Sequence, residues 1–90
     1  MSLQGQVAII TGASSGIGRG VAQELDRAGM RLVLNARRAD RLEQLAGECA
    51  DAIPVAGDLM DETVAQQLVD SAVSKFGRVD VVFNNAGIMD

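Results

Sequence analysis

The sequence has no histidine, no tyrosine and no tryptophan, and only one lysine, one cysteine and one proline in 90 residues. Each absence removes a class of chemistry. A single cysteine allows no internal disulfide, which excludes a small secreted scaffold held by crosslinks. Without imidazole, and with one thiol, a zinc or haem site lacks its usual ligands. A general base is limited to a carboxylate or Lys75, and tyrosine-dependent chemistry cannot be completed by this chain. Two aromatic residues, Phe76 and Phe83, with a net charge of −4, give neither the stacking platform nor the basic footprint of a nucleic-acid binder. The first apolar run is four residues long, too short for a signal-peptide core or a membrane span. The expectation is a cytoplasmic protein that engages neither nucleic acid nor membrane.

What is present is a globular composition, 48% apolar and 22% charged, in a length that suits one small domain and not two. Charge is uneven. Residues 1–45 hold six arginines against four acids, and residues 46–90 hold Lys75 and Arg78 against eight acids. The only strong basic cluster is Arg37, Arg38 and Arg41.

Short apolar runs alternate with helical periodicities. Val7-Ala8-Ile9-Ile10 is a continuous run of the kind found in parallel strands buried on both faces. Ile17, Val21, Leu25 and Ala28 then mark one face of a helix, stopped by Gly29. A second strand is predicted over Arg31 to Asn35, and a second helix from Leu42, Leu45, Ala46 and Cys49. Ile53 to Ala56 reads as a third strand, whose Pro54 suits a strand start or a sheet edge. Asp61 is the cap of a third helix with Val64, Leu68, Ala72 and Phe76 inward and Gly77 as its stop. Val79 to Phe83 is the fourth strand. The order β-α-β-α-β-α-β implies right-handed parallel crossovers, and a doubly wound α/β sheet of which this is about half.

The turn after the first strand carries the chemistry. Thr11-Gly12-Ala13-Ser14-Ser15-Gly16-Ile17-Gly18 spaces its glycines G-x-x-x-G-x-G. Gly12 permits a tight exit from the strand, and Gly16 and Gly18 let the backbone approach a ligand and the helix approach the sheet. Amides at the helix start, with the positive end of the dipole, suit a pyrophosphate, and Ser14 and Ser15 add hydroxyl donors. A loop that merely turns a corner is the bland alternative. Its place, after a buried strand and before a helix, is the context the binding mechanism needs.

This turn resembles the cofactor loop of the short-chain dehydrogenase/reductase family. Asn84-Asn85-Ala86-Gly87 after the fourth strand resembles that family's second motif, and Asp58-Leu59 after the third strand resembles its adenine-contacting position. The resemblance spans the chain but only the N-terminal part of a family whose domains run to roughly 250 residues. It implies that residues 1–90 are the N-terminal portion of one NAD(P)-binding Rossmann-like domain. The implied cofactor-binding set is Gly12, Ser14, Ser15, Gly16, Ile17, Gly18, Arg37, Asp58, Leu59, Asn85, Ala86 and Gly87.

The end of the second strand bears on which cofactor. An acid there accepts hydrogen bonds from the adenosine ribose and repels a 2′-phosphate. Here the position is Ala36, followed by Arg37, whose guanidinium suits a phosphate. Both features favour NADP(H) over NAD(H). Replacing Ala36 by Asp and Arg37 by a neutral residue is expected to move preference toward NAD. Arg38 and Arg41 read as the solvated face of the second helix, beside Asp40 and Glu43.

Several residues carry two readings. Asp58 accepts a hydrogen bond from the adenine amino group, or it caps the loop before the third helix. Asn85 contacts the cofactor, or it is structural, and Thr11 is expected to bond within the turn and support the second motif. Cys49 reads as a buried, inert thiol. Asp80 interrupts an apolar strand and is either paired or near an edge.

The resemblance implies hydride transfer between a nicotinamide and a small-molecule carbonyl or alcohol, with a homo-oligomer as the complete protein. In the family a tyrosine is the general acid/base, supported by a lysine and a serine on later elements. None of these is here, so no catalytic residue is assigned and the chain alone is expected to be inactive. Set beside the matched motifs, the missing tyrosine implies an incomplete chain. The alternatives are a free-standing, non-catalytic nucleotide-binding module and an S-adenosylmethionine binder, which leaves the Asn84-to-Gly87 turn unexplained.

Overall fold

The computed structural model describes residues 2–14 and 16–85. Seven elements follow one another: β1 Val7–Ile10, α1 Gly16–Arg27, β2 Arg31–Ala36, α2 Ala39–Glu48, β3 Ala52–Ala56, α3 Glu62–Phe76 and β4 Val81–Phe83. The four strands form one parallel sheet in the order β3-β2-β1-β4.

Strand alternation sends successive side chains to opposite faces. On one face Ala8, Ile10, Leu32, Leu34 and Ala36 meet Ala22 of α1 and Leu42 and Leu45 of α2. On the other, Val7, Ile9 and Val33 meet Leu68 and Ala72 of α3. This two-sided burial is why β1, and Leu32 to Leu34 within β2, are continuous apolar runs.

The same layering fixes the topology. From β1 the chain steps outward to β2 and β3 with both helices on one face. It then returns across the sheet through α3, on the opposite face, to β4 beside β1. Successive crossovers reverse direction between β1 and β4, which makes the ends of those two strands the switch point of the sheet.

Local chemistry explains most boundaries. The Asp61 side chain accepts from the Thr63 backbone N–H at 2.9 Å, which caps α3, and that helix ends at Gly77. The Thr63 hydroxyl and amide together hold the Asp61 carboxyl below its ordinary range. Pro54 lies within β3, which among the described residues pairs only with β2, so the missing N–H falls on a sheet edge.

Five expectations are corrected. Ile17 does not face the core. It is 56% exposed, while Gly18 and Ala22 are buried and Val21 and Leu25 half-buried. Small residues at 18 and 22 let α1 lie close to the sheet, which turns Ile17 outward. Cys49 is the cap residue after α2 and packs with Ala46 on the core that Leu42 and Leu45 enter, but it is not fully buried. It is half-buried, and burial, then Asp26 and Glu48, push its thiol pKa up. β2 and β3 each extend one residue further than expected, to Ala36 and from Ala52.

β4 is shorter than expected and begins at Val81. The Asp80 N–H donates to the Val7 carbonyl at 2.9 Å, and Asp80 Oδ2 accepts from the Val7 N–H at 2.8 Å. A carboxylate oxygen thus takes the place of a strand carbonyl, and regular pairing starts one residue later. Arg78 also bonds to Asp80 at 2.7 Å, and the Arg78 guanidinium, with the Val7 amide, holds the Asp80 carboxyl below the usual range. Both readings of Asp80 hold, since it is paired and it leads into an edge strand of the sheet.

Candidate functional site at the switch point

The site is built where β1 and β4 end side by side. The Thr11 N–H donates to the Phe83 carbonyl at 3.1 Å, which carries the pairing of β1 and β4 one residue past the strand. The Thr11 hydroxyl donates to Asn84 Oδ1 at 3.0 Å and accepts from the Asn85 N–H at 2.9 Å. Thr11 and Asn85 are both buried. This is the predicted support of the second motif by Thr11.

Gly12 follows with φ +64, the left-handed turn out of the strand. The Ala13 N–H then donates to the Asn35 carbonyl at 2.8 Å, tying the turn to the end of β2. At Gly18 a Cβ would lie 2.2 Å from the Gly12 carbonyl oxygen and 2.7 Å from Asn85 Nδ2. The first turn of α1 therefore rests directly on the glycine turn and on Asn85, and Gly12, Gly18 and Asn85 form one contiguous floor.

The outer side of that turn is open. A Cβ at Gly16 would meet no described residue within 4 Å, and α1 has no acidic residue in its first turn, unlike α2 with Asp40 and α3 with Glu62. A helix start without its own carboxylate presents its positive dipole end to an external anion. The residues present fit a pyrophosphate: an open Cβ position at Gly16, close backbone packing at Gly18 and a neighbouring Ser14 hydroxyl. Ser15, Ala86 and Gly87 lie outside the described residues.

The ends of β2 and β3 extend the site sideways. Ala36 is 4% exposed and belongs to the core beside Ala13, so a carboxylate there would be desolvated. Arg37 is exposed and makes no ion pair with any described residue, whereas Arg38 lies 3.8 Å from Asp40 on the solvated face expected for it. The two readings of Asp58 are not exclusive. Asp58 Oδ1 accepts from the Met60 N–H at 2.9 Å, and its carbonyl accepts from the Asp61 N–H at 2.9 Å, so it does shape the loop. Its second carboxylate oxygen has no hydrogen bond among the described residues. The Leu59 side chain packs on the α3 side of the core.

Two residues that the sequence reading passed over stand between these parts. Asn35, buried in β2, donates from Nδ2 to the carbonyls of Val55 and Gly57, at 3.1 and 3.2 Å. Gly57 donates to the Ala36 carbonyl at 3.0 Å, and a Cβ on it would lie 2.7 Å from Val64 Cγ2. The available signal was a lone amide at the end of the apolar run Leu32-Val33-Leu34.

A parallel sheet wound to a switch point, with an open glycine turn on one strand and a buried asparagine on the other, defines a Rossmann-like nucleotide-binding fold. The chain belongs to the short chain dehydrogenase family, whose model matches residues 6–90. Among curated relatives it is 49% identical over 82 residues to granaticin polyketide synthase putative ketoacyl reductase 2 of Streptomyces violaceoruber, covering 90% of this chain and 33% of that protein. It is similar in structure to L-sorbose reductase from Gluconobacter frateurii, solved with NADPH and L-sorbose. The TM-score is 0.92 at 37% identity, over 100% of this chain and 36% of the other. For 3-ketoacyl-(acyl-carrier-protein) reductase from Brucella melitensis, solved with NADH, the TM-score is 0.84 at 41% identity, over 90% and 34%. The chain spans about a third of the length of the relatives it matches. No helix among the described residues is long and apolar enough to cross a membrane.

Proposed function

We propose that this chain forms the dinucleotide-binding side of an NADP(H)-dependent oxidoreductase that reduces a small-molecule carbonyl or oxidises an alcohol. The observation that carries the reading is the open glycine turn at the switch point, floored by Gly18 and Asn85 and free of acidic side chains in the first turn of α1. The amides and hydroxyls of Gly12 to Gly18 hold the pyrophosphate. Asp58 and the Leu59 backbone receive the adenine, and Asn85, Ala86 and Gly87 line the ribose next to the nicotinamide. The preference for NADP(H) rests on Arg37, a solvent-facing guanidinium without an ion-pair partner among the described residues, beside a position with no acid.

When bound, the nicotinamide supplies or accepts the hydride. This chain's own residues bind and orient the cofactor and move no proton. In this reading the general acid and the carbonyl-polarising group belong to the two thirds of the relatives' length that the chain does not span. The alternative of a binding module without catalysis leaves Val82 of β4 60% exposed on a strand edge, an aggregation liability. We place the protein in the cytoplasm, where a lone thiol such as Cys49 stays reduced.

The test is a calorimetric titration of the protein with NADP⁺ and, separately, NAD⁺. Tighter binding of NADP⁺ is expected. A Kd for NAD⁺ equal to or below that for NADP⁺ sinks the cofactor assignment.

A further inference from the structure

Asn35 is 2% exposed at the end of a strand that is otherwise apolar. A side-chain amide there is costly unless its hydrogens are used. Both are: Nδ2 donates to Val55 and Gly57, the carbonyls that close β3 and open the loop to Asp58. The same residue's backbone carbonyl accepts from Ala13, inside the glycine turn. One residue therefore ties the turn after β1 to the loop after β3.

The loop it holds has little freedom. Gly57 lies against Val64 of α3 with no room for a Cβ, and its N–H donates to the Ala36 carbonyl. The remaining determinant of the Gly57–Asp58 peptide plane is the Asn35 amide. Asp58 follows directly, and its Oδ1 is committed to Met60. The placement of Asp58 thus depends on a hydrogen bond from the same residue that holds the glycine turn.

We propose that Asn35 is a positioning residue for the adenosine end of the site, fixing the Gly57–Asp58 peptide relative to the glycine turn. The inference rests on the dinucleotide-binding reading above. Asn35 touches no ligand itself. Its effect reaches the ligand through Asp58 and Leu59, and it falls on the adenosine end alone, because its own carbonyl, which holds Ala13, is present whatever the side chain.

The experiment uses the protein carrying this sequence, the probe adenosine 2′,5′-bisphosphate, and the variants Asn35→Leu and Asn35→Asp. Leu removes both donors at similar volume. Asp keeps the shape and turns an oxygen toward two carbonyls. Each variant is expected to bind the probe about tenfold more weakly than the parent, the size of one or two lost neutral hydrogen bonds. Amide exchange is expected to quicken at Gly57 to Leu59 and to stay unchanged in β1 and β4, a pattern that general loosening would not give. For Asn35→Asp the deficit narrows as pH falls toward about 5, because a buried carboxylate facing carbonyls takes up a proton and becomes a donor. A folded variant that binds the probe within twofold of the parent overturns the proposal. Should neither variant fold, the parent decides. Probe binding is expected to shift the resonances of the Asn35 side-chain amide and the Gly57 N–H, and binding without those shifts overturns the proposal. Failure of the parent to bind the probe instead removes the dinucleotide reading on which it rests.

Discussion

The Asn85 backbone N–H donates to the Thr11 hydroxyl at 2.9 Å and joins the exits of β1 and β4 across 74 positions of sequence. The hydroxyl passes its own hydrogen on to Asn84. Two motifs far apart in the chain become one surface because a single threonine both accepts and donates between them. An oxygen with one hydrogen and two lone pairs is the smallest group able to do so.

Replacing that hydroxyl by a methyl group, Thr11→Val, keeps the volume and takes the acceptor away from a buried amide. The expected loss is about 1–3 kcal/mol in stability, the range for a disrupted buried hydrogen bond. Thr11→Ser retains the oxygen and is expected to recover most of it. Urea denaturation of the three proteins measures the difference.

The two glycines of the turn should fail differently. Gly18→Ala drives a methyl group into the Gly12 carbonyl and the Asn85 amide, so the backbone must move, at about 1–3 kcal/mol. Gly16→Ala meets open space and should alter stability by less than about 1 kcal/mol. In the proposed function that space belongs to the pyrophosphate, so the Gly16 variant should stay folded while its affinity for NADP⁺ falls at least about tenfold. Thermal melts beside ligand titrations separate the two effects.

Much of this was legible in the sequence because it is written in periodicity and in turn residues. Buried strands appear as unbroken apolar runs, and Asp61 and Gly77 bracket α3 as expected. What escaped was long-range. Ile17 fits a helical stripe by spacing, yet the close approach allowed by Gly18 and Ala22 rotates it outward. Asp80 reads as a strand residue until its side chain is seen replacing a carbonyl on Val7. Asn35 shows locally only as a lone amide after an apolar run, which does not reveal its partners Val55 and Gly57 about twenty residues away. Ala36 is buried, so an acid placed there adds a desolvation cost to a specificity swap that a change at exposed Arg37 does not.

Arg37→Gln removes the charge and leaves the fold untouched, because the side chain is exposed and has no ion pair among the described residues. Under the proposed function its Kd for NADP⁺ rises about ten- to a hundredfold, the range of a lost charge-assisted contact to phosphate. The Kd for NAD⁺ changes little. Parallel titrations of parent and variant read both values.

Asp80 makes stability depend on acid. Arg78 and the Val7 amide lower its folded-state pKa below that of the unfolded chain. Its contribution is therefore complete above the unfolded value, near pH 4, and is lost as pH falls through the folded value. Asp61 acts with the same sign through Thr63. The urea midpoint of the parent should fall below about pH 4, and Asp80→Asn should flatten that part of the profile.

In the proposed function the switch point between β1 and β4 holds a dinucleotide. Hydrogen exchange with and without NADP⁺ tests it most directly. Binding is predicted to slow amides in Gly12 to Gly18, Gly57 to Leu59 and Asn85, and to leave the outer face of α2 unchanged. Binding of NADP⁺ with no protection at the glycine turn, or with protection confined to other surfaces, would contradict it.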